Sequence, residues 1–162
     1  MERETLPKSM GYLLTRVCKA HHSRARVMLN QIGLYRGQQF VLCALWEKEG
    51  LTHSELADKL HVHPATVSNA LQRMERAGFL ERRADPQDQR VSRVYLTEAG
   101  RQIQGAVERV WAELERETLR GFSDGEREML AQFFVRLCEN LGGASGCCRG
   151  AGAGGPQRAR PA

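Results

Sequence analysis

Within residues 64–76, polar and cationic side chains recur at the spacing of one face of a helix. Pro64 suits the first helical position, because proline lacks the backbone N–H that would be unsatisfied there, and His63 precedes it as a weak cap. The helix has an apolar stripe of Val67, Ala70, Leu71 and Met74. The opposite stripe carries Ala65, Ser68, Asn69, Gln72 and Arg76. A slim, hydrogen-bonding front with cations behind it is the chemistry of a helix that enters the DNA major groove.

The side chains of this helix divide by the contact that each could make. The first turn, Pro64, Ala65 and Thr66, would enter the groove. Hydroxyl and amide groups that could read base edges come next, on Ser68, Asn69 and Gln72. Phosphate attraction would come from Arg73 and Arg76. Gly78 then predicts the end of the helix.

Two short β-like runs, 79–83 and 91–96, follow the helix and enclose a charged tip, ADPQDQR. The second run alternates in the manner of a strand, with Val94 and Leu96 on one side. Taken alone, such a tip is typical of a solvated hairpin loop. Its position directly after a polar-faced helix favours a DNA-contacting wing. The cations available to reach the DNA backbone or minor groove are Arg82, Arg83, Arg90 and Arg93.

Upstream, residues 52–60 predict a short helix that braces the first one. Thr52 and Glu55 have the spacing of a capping box, and Leu56, Ala57 and Leu60 would face inward. A polar turn, 61–63, joins the two helices. Two short helices joined by so short a turn form a helix-turn-helix.

Residues 52–100 resemble the winged helix-turn-helix of the MarR family of bacterial transcriptional regulators. The most specific part is DPQDQRVSRVYLTEAG, in which the family's wing pattern falls on Asp88, Arg90, Leu96, Thr97 and Gly100. The resemblance covers about residues 7 to 141. It implies that Arg90 enters the minor groove while Asp88 holds its guanidinium. Arg83, as one of the wing cations, is also expected to contact DNA. Gln87 and Gln89 stand where many members carry more charge, which would weaken nonspecific phosphate attraction.

Long apolar stripes flank this region. One runs along a first helix from about Pro7 to Gly33, and another along a last helix that begins with the capping box Ser123–Glu126. Between them, a second helix from about Gly37 to Glu49 would bury Phe40, Val41, Ala44 and Leu45. Leu51 would start a very short strand beside the wing, and Thr97 would cap a helix reaching Gly121. The stripes either fold back onto their own chain or form a dimerisation layer, and helix length and the family pattern favour the layer.

These elements predict a mainly α fold, a winged helix-turn-helix with long N- and C-terminal helices in a dimerisation layer and a small β-wing. Residues 1–36 would be the N-terminal dimerisation helix, 37–96 the winged helix-turn-helix, and 97–141 the C-terminal helices that complete the layer. Residues 142–162, dominated by Gly, Ala and Arg, cannot build a core and are expected to be disordered.

Composition narrows the class of protein. The chain of 162 residues carries a net charge of +5, which suits a polyanionic partner. No apolar run approaches the roughly 18 residues of a membrane span, and the N-terminus lacks the apolar core of a signal peptide. The five cysteines have no regular spacing, which argues against a disulfide framework. We therefore expect a cytoplasmic protein without a membrane partner.

The resemblance also implies an inducer cleft for a small aromatic or anionic compound, where the first two helices and the helix after the wing meet the winged lobe. The residues available to line it are Cys18, His22, Arg26, Tyr35 and Trp111. Peroxide-sensing members of the family carry a reactive cysteine in the first helix, so Cys18 is either an oxidation sensor or a small core residue. His21 and His22 lie within one turn of Cys18, and His61 and His63 form another pair. Neither set supplies enough ligands for a closed metal site, and we expect no metal or other cofactor.

Two functions from different classes remain. The first is a dimeric, sequence-specific DNA-binding regulator, a repressor released from an inverted-repeat operator in double-stranded DNA by a small molecule. The second is a winged-helix module that docks a protein partner. The Asp88 and Arg90 pair favours DNA, because a protein-docking helix does not need it. No grouping of nucleophile, base and orienting residue is present, so we expect no enzyme activity.

Overall fold

The protein is described by a computed structural model over residues 9–35 and 37–142. In chain order the elements are α1 (Met10–Gln31), α2 (Gln38–Glu47), β1 (Leu51–Thr52), α3 (His53–Leu60), α4 (Pro64–Arg76), β2 (Leu80–Ala84), β3 (Ser92–Leu96), α5 (Glu98–Gln102), α6 (Gln104–Thr118) and α7 (Asp124–Asn140). They fall into two compact units, one ending at Thr118 and the other beginning at Leu119. The predicted segment 97–141 contributes to both units. The predicted tail lies outside the described residues from 143 onward.

The three strands form one antiparallel sheet in the order β1-β3-β2. Leu51 pairs with Val94, and Leu80 pairs with Leu96, so these four apolar side chains lie on one face of the sheet, where they are buried. The predicted hairpin and the predicted short strand at Leu51 are therefore confirmed.

The core of the first unit lies between this apolar face and the helices α2, α3 and α4. Fully buried leucines from all of these elements meet there, namely Leu42, Leu45, Leu56, Leu71, Leu80 and Leu96. Each such side chain stabilises the fold by roughly 1.5–3 kcal/mol. The predicted buried stripe of α4 is confirmed, with Val67, Leu71 and Met74 buried and Ala70 half-buried. The opposite face of α4 is thereby held outward.

The prediction that Phe40 is buried is wrong. Its side chain is 51% exposed, whereas the neighbouring Gln38 and Gln39 are buried. The reason is local, because the Oε1 atom of Gln38 turns inward to accept the backbone N–H of Tyr35 at 2.9 Å. Val41, Ala44 and Leu45 are buried as predicted.

Helix α1 packs on α6 through its C-terminal half. Ala25 and Met28 meet Leu114, with Trp111 packed beside them, and Arg24 donates two hydrogen bonds of 2.7 Å to Glu117. Most of the N-terminal half of α1 is different, because Met10, Leu13 and Val17 are exposed. The predicted stripe is thus buried in the chain only toward its C-terminal end.

The second unit contains α7. Its predicted capping box is present, since Ser123 Oγ accepts the N–H of Glu126 and Glu126 accepts the N–H of Ser123. No residue of α7 is buried, although the helix carries Met129, Phe133, Phe134, Leu137 and Cys138. Within residues 9–35 and 37–142, none of the helices combines the length and apolar character needed to cross a bilayer.

Candidate nucleic-acid interface

Helix α4 presents its polar face to solvent. The His63 ring caps the helix by accepting the N–H of Ala65 on Nδ1 at 3.3 Å, and Gly78 follows the helix with φ of +77°. Every predicted DNA-contacting residue of α4 is exposed, namely Pro64, Ala65, Thr66, Ser68, Asn69, Gln72, Arg73 and Arg76. The helix therefore offers hydroxyls and amides in its middle and cations toward its C-terminal end.

A contact between the two helices of the helix-turn-helix was not predicted. His53, at the start of α3, places Nε2 at 2.7 Å from Ser68 Oγ on α4. The bond holds the Ser68 hydroxyl in one position and joins the polar edges of the two helices. Sequence periodicity missed it because the partners are polar and lie 15 residues apart.

The wing tip is built from two aspartates that accept backbone N–H groups. Asp85 Oδ1 accepts from Gln87 at 2.7 Å and from Asp88 at 3.3 Å, and Asp88 Oδ1 accepts from Arg90 at 3.0 Å. These hydrogen bonds, with Arg93 beside the carboxylate, hold the pKa of Asp85 below its ordinary value. Asp88 thus holds the backbone of Arg90, where the resemblance implied a hold on its guanidinium.

The arginines of the wing differ in their partners. Arg82 pairs with Glu75 at 3.3 Å. Arg83 pairs with Glu81 and lies over the Tyr95 ring, with its guanidinium carbon 4.7 Å from the ring centroid. Within the described part of the chain, the Arg90 guanidinium makes no ion pair, and it is exposed at the tip.

Arg93 is not a free cation, contrary to its predicted availability to DNA. Its Nε donates to Asp85 Oδ2, and its Nη1 donates to the Gly50 carbonyl at 2.8 Å. Glu55 Oε2 lies 3.8 Å from the same Nη1. Sequence reasoning missed this role because two of the three partners lie far upstream in the chain.

The pattern Leu96, Thr97 and Gly100 joins the wing to α5. Leu96 is buried, and Thr97 caps α5 by accepting the N–H of Gly100 on Oγ1 at 3.2 Å. A Cβ atom at position 100 would lie 2.0 Å from the Phe79 carbonyl oxygen. The Trp46 indole N–H donates to the Gly100 carbonyl at 2.9 Å, so this glycine is packed on both sides of its backbone.

Comparison with known proteins agrees with this geometry. A family model described as the MarR family matches residues 34–92. The transcriptional regulator AdcR of Streptococcus pneumoniae is 31% identical over 102 residues, which are 60% of this chain and 69% of AdcR. A crystal structure of MarR is similar with a TM-score of 0.70 and 27% identity, covering 87% of this chain and 94% of that one. The chain belongs to the MarR family of transcriptional regulators.

At the level of the fold, this MarR-family regulator is also similar to a mutant of MarR from E. coli that was solved in complex with operator DNA. The TM-score is 0.71 at 23% identity, and the likeness covers 79% of this chain and 92% of that one. The regulator is a DNA-binding protein of mainly helical, winged helix-turn-helix architecture.

Within residues 9–35 and 37–142, the residues predicted to bind an effector are spread over more than one cleft. His22 and Arg26 line a cleft of about 450 Å³ with Lys19 and Ser23. Tyr35 lines another, of about 290 Å³, beside Arg73. Trp111 is half-buried and stacks on His21, with the ring centroids 6.3 Å apart. Cys18 is exposed on α1, so it is not a core residue of the single chain.

Proposed function

We propose that this MarR-family regulator acts as a dimeric repressor that binds an inverted-repeat operator. Helix α4 lies in the major groove as the recognition helix, and the wing places Arg90 in the adjacent minor groove. The observation that carries the proposal is the state of Arg90. Its backbone is fixed by Asp88, while its guanidinium, alone among the wing arginines in the described residues, keeps its charge unpaired. The likeness to a fold solved with operator DNA supports the same mode of binding.

The minor groove suits this side chain. Its negative potential is strongest where the groove is narrow, and an arginine is attracted there without reading individual bases. A protein-docking helix has no use for an unpaired arginine on a preformed tip. The proposal of a DNA-contacting wing is therefore favoured over that of a protein-interaction module.

Substitution of Arg90 tests the proposal. Operator fragments are first selected from random duplex DNA by the purified protein. Arg90→Ala should then lose about 1–3 kcal/mol of binding free energy in a gel-shift titration. Arg116→Gln is the matched control, because Arg116 pairs with Glu113 on α6 and should leave DNA binding unchanged. An Arg90→Ala protein that folds and binds with the parental affinity would show that the wing does not contact DNA.

We further propose that a small aromatic anion releases the repressor. The cleft beside His22 and Arg26 combines a guanidinium, an imidazole and the Lys19 ammonium group, which suit a carboxylate. A ligand that prefers the DNA-incompatible arrangement by several kcal/mol would empty the operator. The exposure of Cys18 favours oxidation as a second candidate signal. Release by a phenolic acid that persists in Cys18→Ser, with release by peroxide lost, would separate the two signals.

A further inference from the structure

We propose that Arg93 is a positioning residue for DNA binding, which ties the wing tip to the helix-turn-helix and so fixes where Arg90 lies relative to α4. The proposal rests on the proposed function, in which Arg90 enters the minor groove. Arg93 itself does not contact DNA. It acts through Asp85 at one end and through Gly50 and Glu55 at the other.

The Arg93 guanidinium connects two separate parts of the structure. Arg93 lies on β3, and its donors point in different directions, to the Asp85 carboxylate at the tip and to the Gly50 carbonyl just before β1. Glu55 of α3 adds a carboxylate 3.8 Å from Nη1. A planar fork of fixed donors suits such a junction, whereas a lysine ammonium is a point charge.

On the side of the wing tip, the contacts of Arg93 begin at Asp85. Asp85 is buried, and the oxygen that does not face Arg93 accepts the N–H groups of Gln87 and Asp88. Asp88 in turn accepts the N–H of Arg90. The carboxylate that Arg93 holds is thus the one around which the tip folds, and two hydrogen-bonded steps connect Asp85 with the backbone of Arg90.

On the side of the recognition helix, the contacts of Arg93 include Glu55. Glu55 accepts the N–H of Thr52 at 2.7 Å and so caps α3. The next residue along the chain from Thr52, His53, is bonded to Ser68 on α4. Arg93 therefore contacts the same short segment, 52–55, that is bonded to the polar edge of α4. Arg90, proposed for the minor groove, and α4, proposed for the major groove, are thus connected through one network of polar contacts.

The contacts of Arg93 matter for the position of the wing tip because few other side chains pack against it. Residues 86–90 are all exposed, and an isolated two-stranded hairpin is only marginally stable in water. Arg83 cannot serve the same purpose, since its partner Glu81 lies on the same strand. An ion pair with a buried carboxylate is also ordered more strongly than an exposed pair. The raised pKa of Arg93 and the lowered pKa of Asp85 agree with two charges that hold each other.

A double-mutant cycle in the full chain tests the proposal, with the operator duplex that the parent protein selects. Arg93→Gln should bind this duplex roughly tenfold more weakly, and no more weakly than Arg90→Ala does. In an Arg90→Ala background, Arg93→Gln should cause little further loss, because the side chain that it positions is absent. Arg116→Gln remains the matched control. Parental affinity of Arg93→Gln, or equal losses in both backgrounds, would overturn the proposal.

Two further measurements separate positioning from simple loss of structure. Asp85→Asn keeps the oxygen that accepts from Gln87 and Asp88 but removes the charge that Arg93 holds, so it should reproduce the Arg93→Gln loss. If Arg93→Gln shows no cooperative thermal transition, Asp85→Asn takes its place in the cycle with the same deciding outcomes. In Arg93→Gln, hydroxyl-radical cleavage of the sugars along the minor groove under the wing should become stronger. Protection of guanine N7 from methylation in the major groove under α4 should persist. Unchanged minor-groove protection would count against the proposal.

DNA binding by the single variants distinguishes the positioning role of Arg93 from the proposed function of the wing. If Arg90→Ala binds like the parent, the wing does not contact DNA, and both the proposed function of the wing and the positioning role of Arg93 are wrong. If Arg90→Ala loses affinity while Arg93→Gln and Asp85→Asn do not, only the positioning role of Arg93 is wrong. If Arg93 contacted a phosphate directly, Arg93→Gln would lower the salt slope of binding by about one unit even in the Arg90→Ala background. That result too would overturn the positioning role.

Discussion

At the scale of single residues, the exposed face of α4 separates side chains that could read bases from those that could only attract phosphates. Arg76→Gln should lower the slope of log affinity against log salt by about one unit, at a similar ratio of operator to random DNA. Asn69→Ala should leave that slope nearly unchanged and reduce the preference for operator by about 1–3 kcal/mol, since an amide lost from a base edge carries sequence information. Titrations at several salt concentrations against both duplexes measure the two effects. If Asn69→Ala kept the parental ratio, α4 would present a different face to DNA.

At the scale of elements, the junction between the wing and α5 depends on one glycine. An alanine Cβ at position 100 would meet the backbone carbonyl of Phe79, which is part of the turn that leads into β2. Gly100→Ala should therefore lower the free energy of unfolding by about 3 kcal/mol or more, because backbone must move apart. Gly105→Ala is the matched control on the next helix, where the nearest atom to a Cβ is a guanidinium nitrogen of Arg109 at 3.5 Å. It should stabilise the protein by up to about 1 kcal/mol. Equal urea midpoints for the two variants would contradict this account of Gly100.

The packing of α1 on α6 should respond to pH through His21. Burial, and then repulsion by His22, lower the pKa of His21 below 6.5 in the folded chain. Between the two pKa values the unfolded chain binds more protons, so the free energy of unfolding rises with pH there. The contribution is complete above the unfolded value and is lost as pH falls through the folded one. His21→Phe keeps a ring against Trp111 but cannot titrate, so its urea stability should fall less on acidification than that of the parent. Identical pH profiles would contradict this.

Sequence patterns predicted the elements well where apolar spacing or a cap determines them. The faces of α4, the capping boxes at Thr52 and Ser123, and the strand alternation of β3 all follow from local rules. Phe40 was misplaced because a buried glutamine, bonded across the preceding loop, took the inward position. The role of Arg93 could not be predicted, since Gly50 and Glu55 become its neighbours only when β1 pairs with β3.

At the scale of the whole molecule, large apolar side chains remain uncovered on α1 and α7. They include Met10, Leu13 and Val17 on the first helix and Met129, Phe133, Phe134 and Leu137 on the last. Apolar surface of this extent on helices normally marks an interface. Closed two-fold symmetry is the commonest way for identical chains to cover such surfaces. These exposed stripes therefore support a dimer formed through the terminal helices.

The proposed dimer predicts both the state of association of the protein and the form of its operator. The parent should be a dimer by light scattering at micromolar concentration without DNA. Its operator should be an inverted repeat with about 10 bp between half-site centres, because two recognition helices related by a two-fold axis must meet successive major grooves. Phe134→Glu places a charge in the stripe of α7 and should yield a monomer or an unfolded chain that does not bind operator. Phe40→Glu is the control, since Phe40 is equally aromatic and 51% exposed but lies on α2. Inserting about 5 bp between the half-sites turns one of them to the opposite side of the duplex and should abolish tight binding. A monomeric parent, or a selected site without two-fold symmetry, would contradict the dimeric arrangement.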